Sequence, residues 1–322
     1  MKISAIEKKN EYGLSFVEIR GCEEFETAHV FECGQCFRWN FLHDSSAGGD
    51  MFFGVAGGKA VAVSTFSENG KKVIVIANST LQDFNDFWCD YFDFKRDYAE
   101  IINILAAKDE YLKKATEFGK GIRILRQEKF ETLISFILSA NNNIPRIKGC
   151  VEKICRDYGE KIEISQAFKM YIKEKTDAEV GDVYAFPSAE RLINVKAEDY
   201  SLCCRAGYRC AYLEKTVELY TQGNGLPEDS VMRELSLSEA RERVKSFSGV
   251  GPKVADCILL FAGLRTDVFP VDVWVRRVLK DLYFNRDVSQ KEAESFATEY
   301  FGDLAGFAQQ YLFYSMRENT GK

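Results

Sequence analysis

Residues 236–282 read SLSEARERVKSFSGVGPKVADCILLFAGLRTDVFPVDVWVRRVLKDL. Ser236 and Glu239 have the spacing of a capping box, so a helix is expected to start there and run to Phe247-Ser248-Gly249. Gly249-Val250-Gly251 is then a tight turn that needs glycine's freedom in φ. Pro252 suits the first turn of a second helix, whose buried face is Val254, Cys257, Ile258 and Phe261. Gly263 stands where a helix C-cap is expected. The reading is a helix–hairpin–helix at about 237–264. Such a turn aims backbone N–H groups and a helix N-terminus at a phosphate without needing much side-chain charge. Many such hairpins only bind DNA, and some merely turn the chain.

Lys253 and Asp272 add chemistry to this frame. Lys253 lies in the first turn of the second helix, where the helix dipole disfavours a cation. Partial burial lowers a lysine pKa further, so a neutral, nucleophilic amine is expected. Taken alone, a lysine in this position is more simply a surface residue. Asp272 follows Pro270-Val271 and precedes a helix with Val275, Val278, Leu279 and Leu282 on one face, so it is expected to be an N-cap.

Outward from this stretch, the composition sets bounds. The 322 residues allow two or three domains, with 46% hydrophobic and 29% charged residues. The net charge of −6 and pI of about 5.3 argue against a nucleic-acid partner only weakly, because binding depends on where positive charge sits. Basic residues gather at Arg146, Lys148 and Lys153, at Arg205 and Arg209, and at Arg241, Arg243, Lys245 and Lys253. Ten cysteines include one CxxC, Cys33 and Cys36, but no second one to complete a four-cysteine zinc site. The last cysteine is Cys257, which excludes a C-terminal cluster loop, and His29 and His43 are the only histidines. No metal and no cofactor is expected, and the thiols are read as reduced. The opening MKISAIEKKNEYG lacks the apolar core of a signal peptide, and no apolar run reaches the ~20 residues of a membrane span. The expectation is an intracellular monomer, in the cytoplasm or nucleoid of a prokaryote or the nucleus of a eukaryote, with no membrane partner.

The texture changes near residue 110. Before it, Ala60–Val63 and Val73–Ala77 read as strands, with Asn69-Gly70 as their hairpin turn and Gly57-Gly58 as another. After it, Phe130, Leu133, Ile134 and Ile137 mark one face of a helix ending at Ala140. Asn141-Asn142-Asn143 is a polar loop, and Pro145 opens a helix carrying Val151 and Ile154. Residues 161–190 are the least regular and read as an insertion. The fold class expected is α+β: an N-terminal antiparallel β domain over 1–112, then a mostly helical region over 113–322.

FSGVGPKVADCILLFAG followed by FPVDVWVRRVL resembles the helix–hairpin–helix glycosylase superfamily, and within it the 8-oxoguanine DNA glycosylase family. CGQCFRW at 33–39 is similar to the family's N-terminal GQxFRW motif. GIRILRQEKFETLISFILSANNNIPRI at 121–147, AGYRCAYL at 206–213 and AQQYLF at 308–313 match three further segments. The resemblance implies double-stranded DNA with an oxidised guanine, preferably opposite cytosine, as partner. It implies that the base is flipped out of the stack. Lys253 would attack the sugar C1′ and form a Schiff base that permits β-elimination, and Asp272 would stabilise the oxocarbenium charge. The carbonyl of Gly34 would accept the N7–H that only the oxidised base carries. Phe313 and Cys257 would sandwich the base, with Gln309 on its Watson–Crick edge. Cys257 and Lys253 would act as a thiolate–ammonium dipole, which conflicts with the neutral amine above. Asn141 would fill the gap, Tyr208 would wedge the stack, Arg146 and Arg209 would read the orphaned cytosine, and Asn142 would support the loop. Gly249 and Gly251 would approach a phosphate.

Two features depart from the pattern. Trp274 stands where well-known members carry a histidine near a phosphate, and the stretch from Arg146 to Tyr208 is longer than usual. Other readings are a helix–hairpin–helix glycosylase for another damaged base and a non-catalytic DNA-binding module. The hairpin lysine and the absence of a cluster-type cysteine spacing weigh against the first, and the pairing of Lys253 with Asp272 against the second.

Overall fold

The computed structural model describes residues 3–43 and 50–320. Six strands, β1 (Ser4–Lys9), β2 (Ser15–Arg20), β3 (Trp39–His43), β4 (Asp50–Ala56), β5 (Lys59–Glu68) and β6 (Lys71–Ala77), form one antiparallel sheet in the order β1-β2-β6-β5-β4-β3. The two expected turns set its register. Asn69 and Gly70 have φ of 52° and 75°, and Gly57 and Gly58 have 57° and 67°. Positive φ at both central residues is what a two-residue hairpin turn matched to strand twist requires.

Strand alternation gives the sheet two apolar faces. Val17, Ile19, Val61, Val63, Ile74 and Ile76 pack on Phe31, Trp39, Trp88 and Phe92. The opposite face, with Met51, Ala62, Ala77 and Phe53, is covered by Phe168 and Ile172. These two belong to the helix Gln166–Thr176, capped by Ser165, inside the stretch read as an insertion. The insertion is therefore part of the sheet's core: the chain returns from the helical region to cover a face that would otherwise meet water.

The rest of the chain is helical. The helices Tyr98–Ala106 and Glu110–Phe118 are capped by the side chains of Asp97 and Asp109. Their Tyr98, Ile101, Leu105 and Leu112 join the helical core, which thus takes in residues on both sides of position 112. In the hairpin, Ser236 and Glu239 form the reciprocal capping box, and the helix Leu237–Lys245 ends slightly earlier than the spacing suggests, with Ser246 at its C-cap. The helix Pro252–Phe261 closes at Gly263 (φ 69°): the Gly263 N–H donates to the Leu260 carbonyl (3.1 Å) and the Leu264 N–H to that of Leu259 (2.9 Å). This pair of bonds satisfies carbonyls that the helix end leaves orphaned. Gly249 has φ of 81°, and a Cβ there would lie 2.4 Å from the Tyr212 ring. Gly251 differs from expectation. Its φ is −90° and a Cβ would meet nothing within 4 Å, so the turn itself does not demand glycine there. No helix among the described residues is long and apolar enough to cross a membrane.

Phe168 is fully buried between its helix and the sheet. Phe168→Ala is expected to lower unfolding stability by about 3–5 kcal/mol, read as a shift of the urea midpoint. An unchanged midpoint would mean that the insertion helix lies on the sheet without packing into it.

Candidate active site

The two hairpin helices are locked by a buried ion pair. Arg241 donates from Nε and Nη2 to the two carboxylate oxygens of Asp256, at 2.7 and 2.9 Å, and Asp256 is 1% exposed. Such a two-point fork fixes direction as well as distance. It holds the helix on which Lys253 occupies the second position, half-buried. Asp272 caps the next helix, Val273–Val278, its carboxylate accepting from the Val275 N–H at 2.8 Å. The cap expected from the sequence is therefore present.

Three groups surround the Lys253 amine. Its Nζ lies 5.9 Å from the centre of the Phe136 ring, and Cys257 and Asp272 act on its charge. Cys257, followed by Asp272, holds the lysine above its ordinary pKa, against the burial that pulls it down. Burial also pushes the Cys257 thiol up to about 11. At neutral pH the pair is thus an ammonium beside a thiol. Both charge expectations need correction. The helix dipole and burial do not neutralise the amine, because Cys257 and then the Asp272 carboxylate oppose them, and burial keeps the sulfur a thiol.

A second group of residues meets some 280 positions away in sequence. Gly34 sits in a turn after the short helix Thr27–Phe31, with φ of 89°. A Cβ on it would lie 3.2 Å from Nη1 of Arg317, 3.7 Å from Phe313 and 3.9 Å from Ile144. The turn and the helix Ala305–Thr320 are therefore in contact, and the structure brings Gly34 and Phe313 together as the resemblance implies. Gln310 donates to the Cys33 carbonyl at 2.8 Å, and Arg317 to that of Glu32 at 2.6 Å. Gln309 is 5% exposed, and its Oε1 has no hydrogen-bond partner among the described residues. A buried acceptor in that state is costly unless a donor arrives. Gln35 anchors the turn from below. Its Nε2 donates to Val30 (2.8 Å) and Arg123 (2.7 Å), and its Oε1 accepts from the Leu125 N–H (2.8 Å).

The third group flanks the end of the helix Lys129–Ser139. Asn141 is exposed, with φ of 49°. Asn142 donates to the Leu138 carbonyl (3.1 Å) and accepts from the Asn143 N–H (3.0 Å), so it braces the loop. Arg146 is exposed and reaches the Arg205 carbonyl at 3.1 Å. Arg209 is only 6% exposed. Its guanidinium donates to the carbonyls of Ala140 (2.9 Å), Asn141 (2.8 Å) and Ala206 (3.1 Å). Its Cζ also lies 4.5 Å from the ring centre of Tyr208, which is 55% exposed. Trp274 is half-exposed, with the Arg277 guanidinium 5.4 Å from its ring centre.

Sequence reading did not single out Phe136, Gln310 or Arg317. Phe136 carries the helical period of a core residue, and only the fold sets it beneath Lys253. Gln310 adjoins Gln309 in AQQYLF, and Arg317 falls one turn after Phe313, the spacing at which helix neighbours meet.

Comparison with known proteins identifies the family. Residues 19–133 match the 8-oxoguanine DNA glycosylase N-terminal domain, and residues 134–302 the HhH-GPD superfamily of base excision DNA repair proteins. An N-glycosylase/DNA lyase of Saccharomyces cerevisiae is 30% identical over 272 residues, covering 80% of this chain and 68% of the yeast protein. An 8-oxoguanine glycosylase/lyase of Clostridium acetobutylicum, solved with double-stranded DNA containing cytosine opposite 8-oxoguanine, is 41% identical. It superposes with a TM-score of 0.83 over 98% of both chains. A 3-methyladenine DNA glycosylase of Archaeoglobus fulgidus, at 20% identity and a TM-score of 0.62, shares the fold. The chain belongs to the HhH-GPD superfamily of base excision repair proteins and, within it, to the 8-oxoguanine DNA glycosylase family.

Proposed function

We propose that this protein is a bifunctional DNA glycosylase and abasic-site lyase that excises 8-oxoguanine lying opposite cytosine in duplex DNA. The observation that carries the reading is the pairing of Lys253 with Asp272, each at the start of a helix behind the Gly249–Gly251 turn. The turn's N–H groups suit a phosphate and would seat the backbone with little side-chain charge, which reconciles DNA binding with a net charge of −6. Trp274 would offer a neutral N–H donor to a neighbouring phosphate where a histidine could become cationic.

The chemistry follows from the site. Lys253 first gives up its proton to solvent, and its Nζ then forms a bond to C1′ as the C1′–N9 bond breaks and the base leaves with that electron pair. Asp272 stabilises the positive charge that grows on the sugar. Opening of the sugar ring yields the imine, loss of a C2′ proton expels the 3′ phosphate, and water later frees the lysine.

Base selection rests on Gly34, Gln309, Phe313 and Cys257. Guanine's Watson–Crick edge offers N1–H and N2–H donors, which suit the unpartnered Oε1 of Gln309. The Gly34 carbonyl would accept N7–H, which guanine lacks. Phe313 and Cys257 would cover the two faces of the base. On the other strand, Asn141 would occupy the gap and Tyr208 the stack. Arg146 would reach the cytosine by giving up its one bond to the Arg205 carbonyl, whereas Arg209 would first have to leave the carbonyls of Ala140 and Asn141. The substrate implies an intracellular site, wherever the cell keeps its DNA.

Borohydride trapping on an 8-oxoguanine:cytosine duplex is expected to crosslink the intact protein, and Lys253→Gln to abolish both crosslink and excision while duplex binding persists. Substantial turnover by that variant would remove Lys253 as nucleophile. Because Lys253 is held protonated, the single-turnover rate is expected to rise about tenfold per pH unit from about pH 7 to about pH 9. A flat profile would show that the amine enters the reaction already neutral. Asp272→Asn keeps a cap and is expected to melt like the native protein while excision slows on the order of 100-fold. Equal rates would leave Asp272 with a capping role alone.

A further inference from the structure

The turn over residues 32–35 carries four backbone carbonyls, and three of them are occupied by side chains. Arg317 donates to Glu32 at 2.6 Å, Gln310 to Cys33 at 2.8 Å, and Gln127 to Gln35 at 2.8 Å. The carbonyl of Gly34 accepts no hydrogen bond among the described residues. An acceptor left open inside a turn whose neighbours are all pinned is held in a fixed direction, ready for one donor.

Arg317 makes the most of these contacts. Besides the bond to Glu32, its Nη2 pairs with Glu318 at 2.9 Å, and its Cζ lies 5.5 Å from the ring centres of both Phe313 and Tyr314. Its Nη1 is the atom nearest to where a Gly34 Cβ would stand, at 3.2 Å. One guanidinium therefore touches the turn before Gly34, the flank of Gly34 and the aromatic ring proposed to cover the base. Planarity matters here, since a fork with a flat face can donate at its edge and stack at its side, which an ammonium cannot do.

We infer that Arg317 is a positioning residue for lesion recognition: it fixes the Glu32–Gly34 turn against Phe313 and so aims the Gly34 carbonyl that separates 8-oxoguanine from guanine. The inference rests on the function proposed above. It assigns discrimination not only to the group that touches the base but to a cation one layer behind it. Misplacement of a reading group by about 1 Å costs on the order of 100-fold in rate, and losing a charge-assisted bond to a carbonyl is enough to permit such a shift.

An abasic duplex supplies the internal control, because it has no base to read but still needs Lys253 and Asp272. Arg317→Ala and Arg317→Lys are to be compared with the native protein in three measurements. These are single-turnover excision from an 8-oxoguanine:cytosine duplex, strand cleavage of a preformed abasic duplex, and the binding ratio of lesion to undamaged duplex in a Lys253→Gln background. For Arg317→Ala, excision is expected to fall about 10- to 100-fold, with the binding ratio falling in step and abasic cleavage changing less than about twofold. Arg317→Lys is expected to recover part of the excision rate, since it keeps a charged donor without the fork. Equal losses on both duplexes would overturn the inference, as would an unchanged excision rate or binding ratio. If Arg317→Ala does not fold, the lysine variant decides by the same split. A native protein that cleaves the abasic duplex but spares 8-oxoguanine would instead refute the proposed substrate, whatever the variants do.

Discussion

Gln35 has no exposed surface, yet each polar atom of its side chain reaches a partner on the main chain. Two of those partners, Arg123 and Leu125, lie in the extended segment that leads into the helix Lys129–Ser139, and the third, Val30, lies in the turn's own approach. A buried amide in this state is a joint between two regions of the chain. Each bond lost would leave a buried group unpaired at about 1–3 kcal/mol. The joint sets where the Gly34 turn stands relative to the helical core, and every later contact across that seam inherits its position.

The catalytic side of the seam uses a different economy of charge. The hairpin helix is fixed by the Arg241–Asp256 fork, and the next helix start by Asp272. Lys253 stays an ammonium because Cys257, with the Asp272 carboxylate behind it, outweighs the burial around it. An acidic protein can therefore present a cationic nucleophile at one point while leaving phosphate contacts to backbone N–H groups. Local direction of donors does what overall charge does not.

Much of this was legible in the sequence where the physics is local. Capping at Ser236 and Asp272, the hairpin turn at Asn69-Gly70 and the C-cap at Gly263 are each fixed by a few neighbouring residues, and the structure has all of them. Gly251 was read through the company it keeps, yet its backbone is ordinary. The protonation of Lys253 and Cys257 is not legible in the sequence because it depends on depth and on their mutual interaction as well as on Asp272. Arg317 and Gln310 were silent because their meaning lies in the carbonyls they reach, nearly the whole chain away. The motif segments themselves were readable, since CGQCFRW and AQQYLF each carry a residue pattern; what no segment states is the distance at which they meet.

The helix Gln166–Thr176 changes how the chain can come apart. It lies in the middle of the helical half by sequence, but its Phe168 and Ile172 complete the apolar face beside Phe16, Leu42 and Phe53. The sheet is thus finished only after the chain has left it, passed through the helices from Tyr98–Ala106 to Ile144–Tyr158 and come back. Neither half of the polypeptide is a self-sufficient piece: a fragment stopping before this helix would carry a sheet with one greasy side open to water, an invitation to self-association. The clasp makes the two regions collapse and melt as partners, so the seam that aligns the base reader with the nucleophile is protected by a segment touching neither.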